Sequence, residues 1–358
     1  MPGDAADLFS PDYATARDRF RATAHGAGVR LDSLPLAATG PADEALTIDV
    51  AWLGAGDARR ILLHTSGLHG VEAFAGSAIQ EALLACPPPL PAGCALILVH
   101  ILNPWGMAWL RRTDENNVDL NRNFLRQGER WSGVSEAYRK IDRTLNPRSP
   151  PARDFFILRA QALALRHGFH ALKQAVAEGQ YEFPQGLFYG GRELAEGPRV
   201  YLDWVARHLG QARYVCAVDV HTGLGRWGGE MLFPEPGPGA TPAAALGQAL
   251  GRRLGVTHEA RAAYAIRGGM GARLPQQLPH AALDFILQEL GTYRALTVLH
   301  ALREENRWHH YGAGNIDHPT KRRLREALCP SDPGWRRRVI AHGVELARAA
   351  AAWISRRN

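Results

Sequence analysis

No stretch of the 358 residues approaches the roughly 18 consecutive apolar residues that a membrane-spanning helix needs. The opening segment, MPGDAADLFSPDYATARDRF, carries acidic residues where a secretory signal has a basic and then an apolar run, so a soluble, cytoplasmic protein is expected. Cysteine is scarce. Cys86, Cys94, Cys216 and Cys329 are scattered without a CxxC pair, which argues against a disulfide framework and against a thiolate metal site and leaves buried free thiols as the expectation. With 37 Gly and 23 Pro there is neither a collagen period nor low complexity, and a 46% hydrophobic content excludes intrinsic disorder. What remains is a chain long enough for one large α/β domain or two ordinary ones.

The net charge of +7 raises the question of nucleic acid, but the charge is unevenly placed. From Lys321 to the end there are ten Lys/Arg against Glu326, Asp332 and Glu345, so this one segment holds the whole excess. The rest of the chain is near neutral. The segment reads as a basic helical tail, about 321–358, with a solvated face, and no nucleic-acid or membrane partner is expected.

Residues 11–30 have the spacing of an amphipathic helix, and TIDVAW near 47–52 alternates as a strand does. ARRILLHTSGLHG is a buried strand ending in a Gly-containing loop, followed by a helix from 71 that ends before PPPLPAG. CALILVHI is the next buried strand, with NPWG read as a turn. YVCAVDV, EMLFP and LDFILQEL are further strands, TYRALTVLHALREEN a helix, and Trp335 to Ile354 a helix with Val339, Leu346, Ala350 and Ile354 on one face. Continuous apolar runs separated by helices predict an α/β fold: a mixed, largely parallel central sheet with helices on both faces. No linker or repeat divides the chain, so 1–358 reads as one domain with an insertion at about 125–213 that could wall a pocket.

The chemistry begins with HGVE. His69 and Glu72 lie three apart where a strand's loop enters a helix, a spacing from which an imidazole and a carboxylate can reach one divalent ion. With 15 His in the chain, such a pair is also expected by chance on the order of once. A catalytic zinc needs a third ligand and an open position. His221, just past a buried strand in YVCAVDVHTG, is the candidate, with a satisfied structural histidine as the alternative. NPWGMAWLRRTDENNVDLNRNF then crowds Arg111, Arg112, Asn116, Asn117, Asp119, Asn121 and Arg122 behind a strand, and guanidinium forks beside amides suit a bound carboxylate.

In order, HGVE, NPWG, RRT, VDLNRNF, DVHTG, YAIRGG and LQE resemble the zinc carboxypeptidases of the carboxypeptidase A type, from about Leu62 to Gly291. QYEFPQGLFYGG is similar to an uncharacterised bacterial branch of that superfamily. The resemblance implies that His69, Glu72 and His221 hold zinc and that Glu289 is the general base for the attacking water. It implies that Arg111 polarises the scissile carbonyl, with Arg112 adjacent as a further candidate. Asn121 and Arg122 match the pair that binds a terminal carboxylate, Tyr264 the tyrosine that closes over it, and Asp119 the acid that orients the first zinc histidine. Two departures matter: Val71 precedes Glu72 where digestive relatives carry arginine, and Thr222 follows His221, so their side-chain pockets do not transfer.

The implied activity is zinc-dependent hydrolysis of a C-terminal peptide or amide bond. The alternative is a zinc deacylase of N-acyl amino acids, similar to aspartoacylase and succinylglutamate desuccinylase, since both substrate types carry a carboxylate. A binding protein using only its basic tail would bind DNA with steep salt dependence. His64, inside its strand, is read as a structural residue.

Overall fold

The computed structural model describes residues 4–235, 237–255 and 266–357. Among these, seven strands form one sheet: β1 (Arg30–Thr39), β2 (Ala45–Gly54), β3 (Arg60–Ser66), β4 (Cys94–His100), β5 (Tyr214–Thr222), β6 (Glu230–Glu235) and β7 (Ala282–Leu290), in the order β1-β2-β4-β3-β5-β7-β6. The four central strands β4, β3, β5 and β7 run parallel, while β1, β2 and β6 add antiparallel edges. This is the mixed α/β sheet that the apolar runs predict.

The runs are continuous because both faces are covered, and residue parity sorts them. In β5, Tyr214, Cys216, Val218 and Val220 enter one core, and Val215 and Ala217 the other. β4 divides likewise, with Leu96 and Leu98 on one side and Ala95, Ile97 and Val99 on the other. The first core is closed by α1 (Tyr13–Gly26), α2 (Ala73–Ala85) and, from the far end of the chain, α12 (Pro333–Ser355). Val339, Leu346, Ala350 and Ile354 all lie in it, as their spacing predicts. α12 reaches α2 closely because Gly343 has no side chain: a Cβ there would stand 2.6 Å from Ile79.

Between these elements lie α3 (Pro104–Ala108), α4 (Glu136–Leu145), α5 (Phe156–His167), α6 (Phe169–Glu178), α7 (Glu196–Leu209), α8 (Ala243–Leu250), α9 (Met270–Arg273), α10 (Ala295–Tyr311) and α11 (Pro319–Leu328). α7 covers the second core with Tyr201, Trp204 and Val205. The range 125–213 is therefore of two kinds. Its last helix belongs to the sheet's covering layer, while α4 packs with α10 and α11 in a third apolar cluster through Ile141, Leu145, Val298 and Leu302.

Three local expectations change, and one strand, β1, is added that the sequence pattern leaves unread. NPWG is a short helix, α3, because Pro104 opens it and the Asn103 side chain accepts from Gly106 N–H at 2.8 Å. β1 carries Pro35, which a central strand would not tolerate but an edge strand does. Cys86 is exposed, unlike the three buried thiols. Lys321, counted in a solvated tail, is fully buried and bonds Glu305 Oε1 at 2.7 Å and the Trp109 carbonyl at 2.9 Å. No helix among the described residues is long and apolar enough to cross a membrane.

Candidate metal centre

The HGVE loop leaves β3 at Ser66, and Gly70 lets it lie against the backbone of α3. A Cβ on Gly70 would come within 2.0 Å of the Gly106 carbonyl carbon. Gly70 N–H and Val71 N–H then donate to the carbonyls of Arg112 and Arg111 at 3.1 and 3.0 Å. Two sequence segments forty residues apart are thereby laced together. His221 and Glu289 come from neighbouring parallel strands and are register partners, so both project from the same face at the carboxyl ends of β5 and β7.

His69, Glu72 and His221 place one donor atom each within 4.8 Å of the others, and all three are buried. His69 Nδ1 stands 3.0 Å from Glu72 Oε1, His221 Nδ1 3.3 Å from Glu72 Oε2, and the two Nδ1 atoms 3.1 Å apart. Two nitrogens bound at about 2.0–2.1 Å to one tetrahedral ion lie about 3.3 Å apart, close to what is seen. Each imidazole turns its other nitrogen to a buried carboxylate: His69 Nε2 to Asp119 Oδ1 at 3.1 Å and His221 Nε2 to Asp219 Oδ2 at 2.6 Å. With the outer nitrogens so engaged, both rings present Nδ1 inward, which is the orientation a divalent cation requires. The donor set of two imidazoles and one carboxylate fits zinc.

Burial alone would raise the Glu72 carboxyl, yet the His69 and His221 rings and Arg112 outweigh it and hold it well below the usual carboxylate range. Arg112 donates to Glu72 Oε1 at 2.7 Å and to Asp119 Oδ2 at 3.1 Å. Asp119 is held low in the same way, its burial outweighed by Arg112, His69 and Arg122. His221 is pushed up because Asp219 and Glu72 outweigh its burial. Glu289 behaves oppositely: burial and the Glu72 charge lift it to about 7, against His221, Arg112 and the Leu224 N–H that donates to its Oε1 at 2.8 Å.

His69, Glu72, Arg112, His221 and Glu289 line a cavity of about 750 Å³ together with Asn121, Arg122, Phe188 and Glu235. Arg122 is buried, spends one Nη on the Asn121 carbonyl at 2.8 Å, and has no partner at Nε. Arg112 and Arg122 lie over the Phe188 ring, at 5.5 and 5.7 Å. Arg111 does not join them. Its Nε donates to Glu305 at 3.0 and 3.2 Å, and its Nη2 to Asn117 and Asn306 at 2.9 and 3.0 Å, which makes it a structural tie between this loop and α10. The paired arginines differ because one side chain turns towards the cavity and its neighbour turns behind it. Tyr264 lies outside the described residues.

Three lining or supporting residues escaped sequence reasoning. Asp219 had a readable signal, since i and i+2 share a face in a strand. Phe188 and Glu235 had none, because Phe188 holds its place through a left-handed backbone (φ 58°) and Glu235 through the edge pairing of β6 on β7.

The fold is that of carboxypeptidase A. The chain superposes on carboxypeptidase A from Helicoverpa armigera with a TM-score of 0.52 at 15% identity, covering 96% of this chain and 73% of that one. Murein-tripeptide amidase MpaA from Escherichia coli O157 matches at 18% identity and TM-score 0.40, over 78% of this chain and 92% of that one. Bovine thrombin-activatable fibrinolysis inhibitor matches at 9% identity and TM-score 0.45, over 93% and 97%. These two scores add nothing to the fold assignment. No curated protein matches the sequence. The chain belongs to the family described as "Protein of unknown function (DUF2817)", whose model matches residues 9–342.

Proposed function

We propose that this protein is a zinc-dependent hydrolase that cleaves a peptide or amide bond in a substrate bearing a free carboxylate, by attack of a water molecule. The observation that carries the reading is the convergence of the His69 and His221 Nδ1 atoms on Glu72, each ring braced by its own buried aspartate, with Glu289 on the same cavity wall. His69, Glu72 and His221 would hold a zinc ion, which when bound would supply Lewis acidity at that point, lowering the pKa of water and polarising a carbonyl.

The chain's own groups do the rest. Glu289, lifted to about 7, takes the proton of the attacking water and returns it to the leaving nitrogen, which needs a carboxylate whose pKa lies near the working pH. Arg112 sits beside the metal ligands and takes the oxyanion-stabilising role that the sequence resemblance gave to Arg111. Asn121 and Arg122 bind the substrate carboxylate, the unpartnered Nε of Arg122 being one donor for it. Asp119 and Asp219 keep the imidazoles oriented. Tyr264 keeps its proposed place as the residue that closes over the substrate.

The test is metal content together with turnover of N-acyl amino acids and N-blocked dipeptides. Stoichiometric zinc is expected, with turnover reduced about 10²–10⁴-fold in Glu289→Gln while the zinc stays bound. A protein that takes up no zinc, or a Glu289→Gln variant as active as the parent, defeats the reading.

A further inference from the structure

The cavity has two unlike ends. At one, Gly268, Gly269 and Gly271 bring a loop against the Arg122 carbonyl, Asn121 Oδ1 and the Glu235 carboxylate, so the polar groups gather there. At the other, beyond Thr222 and Leu224, α4, α5, α6 and α10 form a chamber walled by Ile141, Phe156, Leu163, Val176, Val298 and Leu302. The Thr222 hydroxyl ties the end of β5 to α11 by donating to the Leu328 carbonyl at 2.5 Å. Among the described side chains, the polar ones that these four helices add to the lining are Thr144 and Gln161.

This lining discriminates between kinds of substrate. A peptide running into the chamber would bring an N–H and a C=O at every residue and find few partners among these side chains, and each buried group left unpaired weakens binding. A methylene chain brings no such groups and gains by burial. α5 supplies a second observation. Its inner stripe, Phe156, Ala160, Leu163 and Ala164, lines the chamber, while Leu158 and Leu165, on the opposite side by helical spacing, are 62% and 90% exposed, and Phe155 just before the helix is 73% exposed. The helix that walls the chamber thus shows apolar side chains to water beside the exposed Arg159 and Gln161, as suits a surface over which an aliphatic chain passes.

We infer that the acyl half of the substrate is a long unbranched aliphatic chain seated between α4, α5, α6 and α10, so that the protein hydrolyses long-chain N-acyl amino acids. The inference rests on the hydrolase reading above and names its substrate class. Water adds to the acyl carbon, the C–N bond breaks, and the products are a fatty acid and a free amino acid whose nitrogen receives the proton from Glu289.

The experiment uses N-acetyl-, N-octanoyl- and N-lauroylglycine below their micelle concentrations, with turnover by the zinc-loaded parent and binding to zinc-loaded Glu289→Gln followed by calorimetry. Both kcat/KM and affinity are expected to rise roughly fourfold per methylene until the chamber is full. Ala160→Trp, which fills the chamber, is expected to cut the lauroyl-to-acetyl ratio about fifteenfold, the equivalent of two methylenes. The binding series on the unaltered chamber stands even where that variant does not fold. A flat response to chain length in binding and turnover overturns the inference, and leaves the hydrolase reading intact where peptides are cleaved. Chain-length-dependent binding without turnover of any amide supports the chamber and defeats the hydrolase reading instead.

Discussion

Arg111 and Arg112 are adjacent in sequence and opposite in consequence. Arg112 contacts Glu72 and Asp119 beside the cavity, so its loss removes charge from the site. Arg111 is sealed against Glu305, Asn117 and Asn306, so its loss leaves buried partners uncompensated. Arg112→Ala is expected to lower kcat/KM by about 10²–10³ and, because it leaves the buried Glu72 and Asp119 carboxylates without their cation, to lower the thermal midpoint of the metal-free protein as well. Arg111→Ala is expected to destabilise the fold by about 3 kcal/mol while the folded fraction keeps its turnover. Thermal unfolding and steady-state kinetics on the two variants check this, and exchanged phenotypes would return the oxyanion role to Arg111. Asp219 matters in another way. Its 2.6 Å contact with His221 Nε2 fixes the ring, so Asp219→Asn is expected to weaken zinc about 10–100-fold in a competitive chelator titration.

At the scale of elements, what was legible followed from periodicity. The runs CALILVH and YVCAVDV are buried on both faces, and nothing but a covered parallel sheet accounts for them. His69, Glu72, His221 and Glu289 were legible because they stand at or just past strand ends, and Asp119, Asn121 and Arg122 through the order of motifs; the structure brings six of the seven to the lining of one cavity and places Asp119 behind His69. What was not legible depends on direction rather than on residue type. No pattern in RRT says which arginine faces inward, and no count of charges says that Lys321 is buried under Glu305. β1 goes unread because Pro35 breaks its pattern and it is only half buried, which an edge strand tolerates. Gly70 is the element-scale hinge of the site: Gly70→Ala forces the HGVE loop off α3, since the new methyl would stand 2.0 Å from Gly106. Lower zinc affinity together with a lower thermal midpoint is the expected outcome. A variant with unchanged zinc affinity would show that the lacing between the two loops does not position the ligands.

For the whole molecule, the response to pH is a sum of opposite signs. Carboxyls that burial lifts, Glu289 and Glu235 to about 7 and Asp114 to about 8, bind protons in the native state before the unfolded chain does, so they favour folding as pH falls. Buried histidines oppose them. Burial takes His64 to about 4 and His100 to about 3, below the unfolded value of about 6.5. The His64 ring is held neutral by its neighbour, since Gln80 Nε2 donates to Nδ1 at 3.2 Å and leaves no room for a second proton there. His100 is stacked 4.2 Å from Phe20 and paired with Ser77 Oγ at 2.9 Å. Each such histidine contributes stability that is complete above pH 6.5 and is lost as pH falls towards its folded value, because only the unfolded chain takes up the proton. The total curve therefore hides the individual terms, and a difference reveals them. His100→Asn is expected to be less stable than the parent at pH 7, with the deficit shrinking by about 2 kcal/mol at pH 5, as read from urea unfolding of metal-free protein at both pH values. A deficit that stays constant between them would mean that His100 is protonated in the native fold, and that the core between α1 and the sheet is wetter than its packing shows.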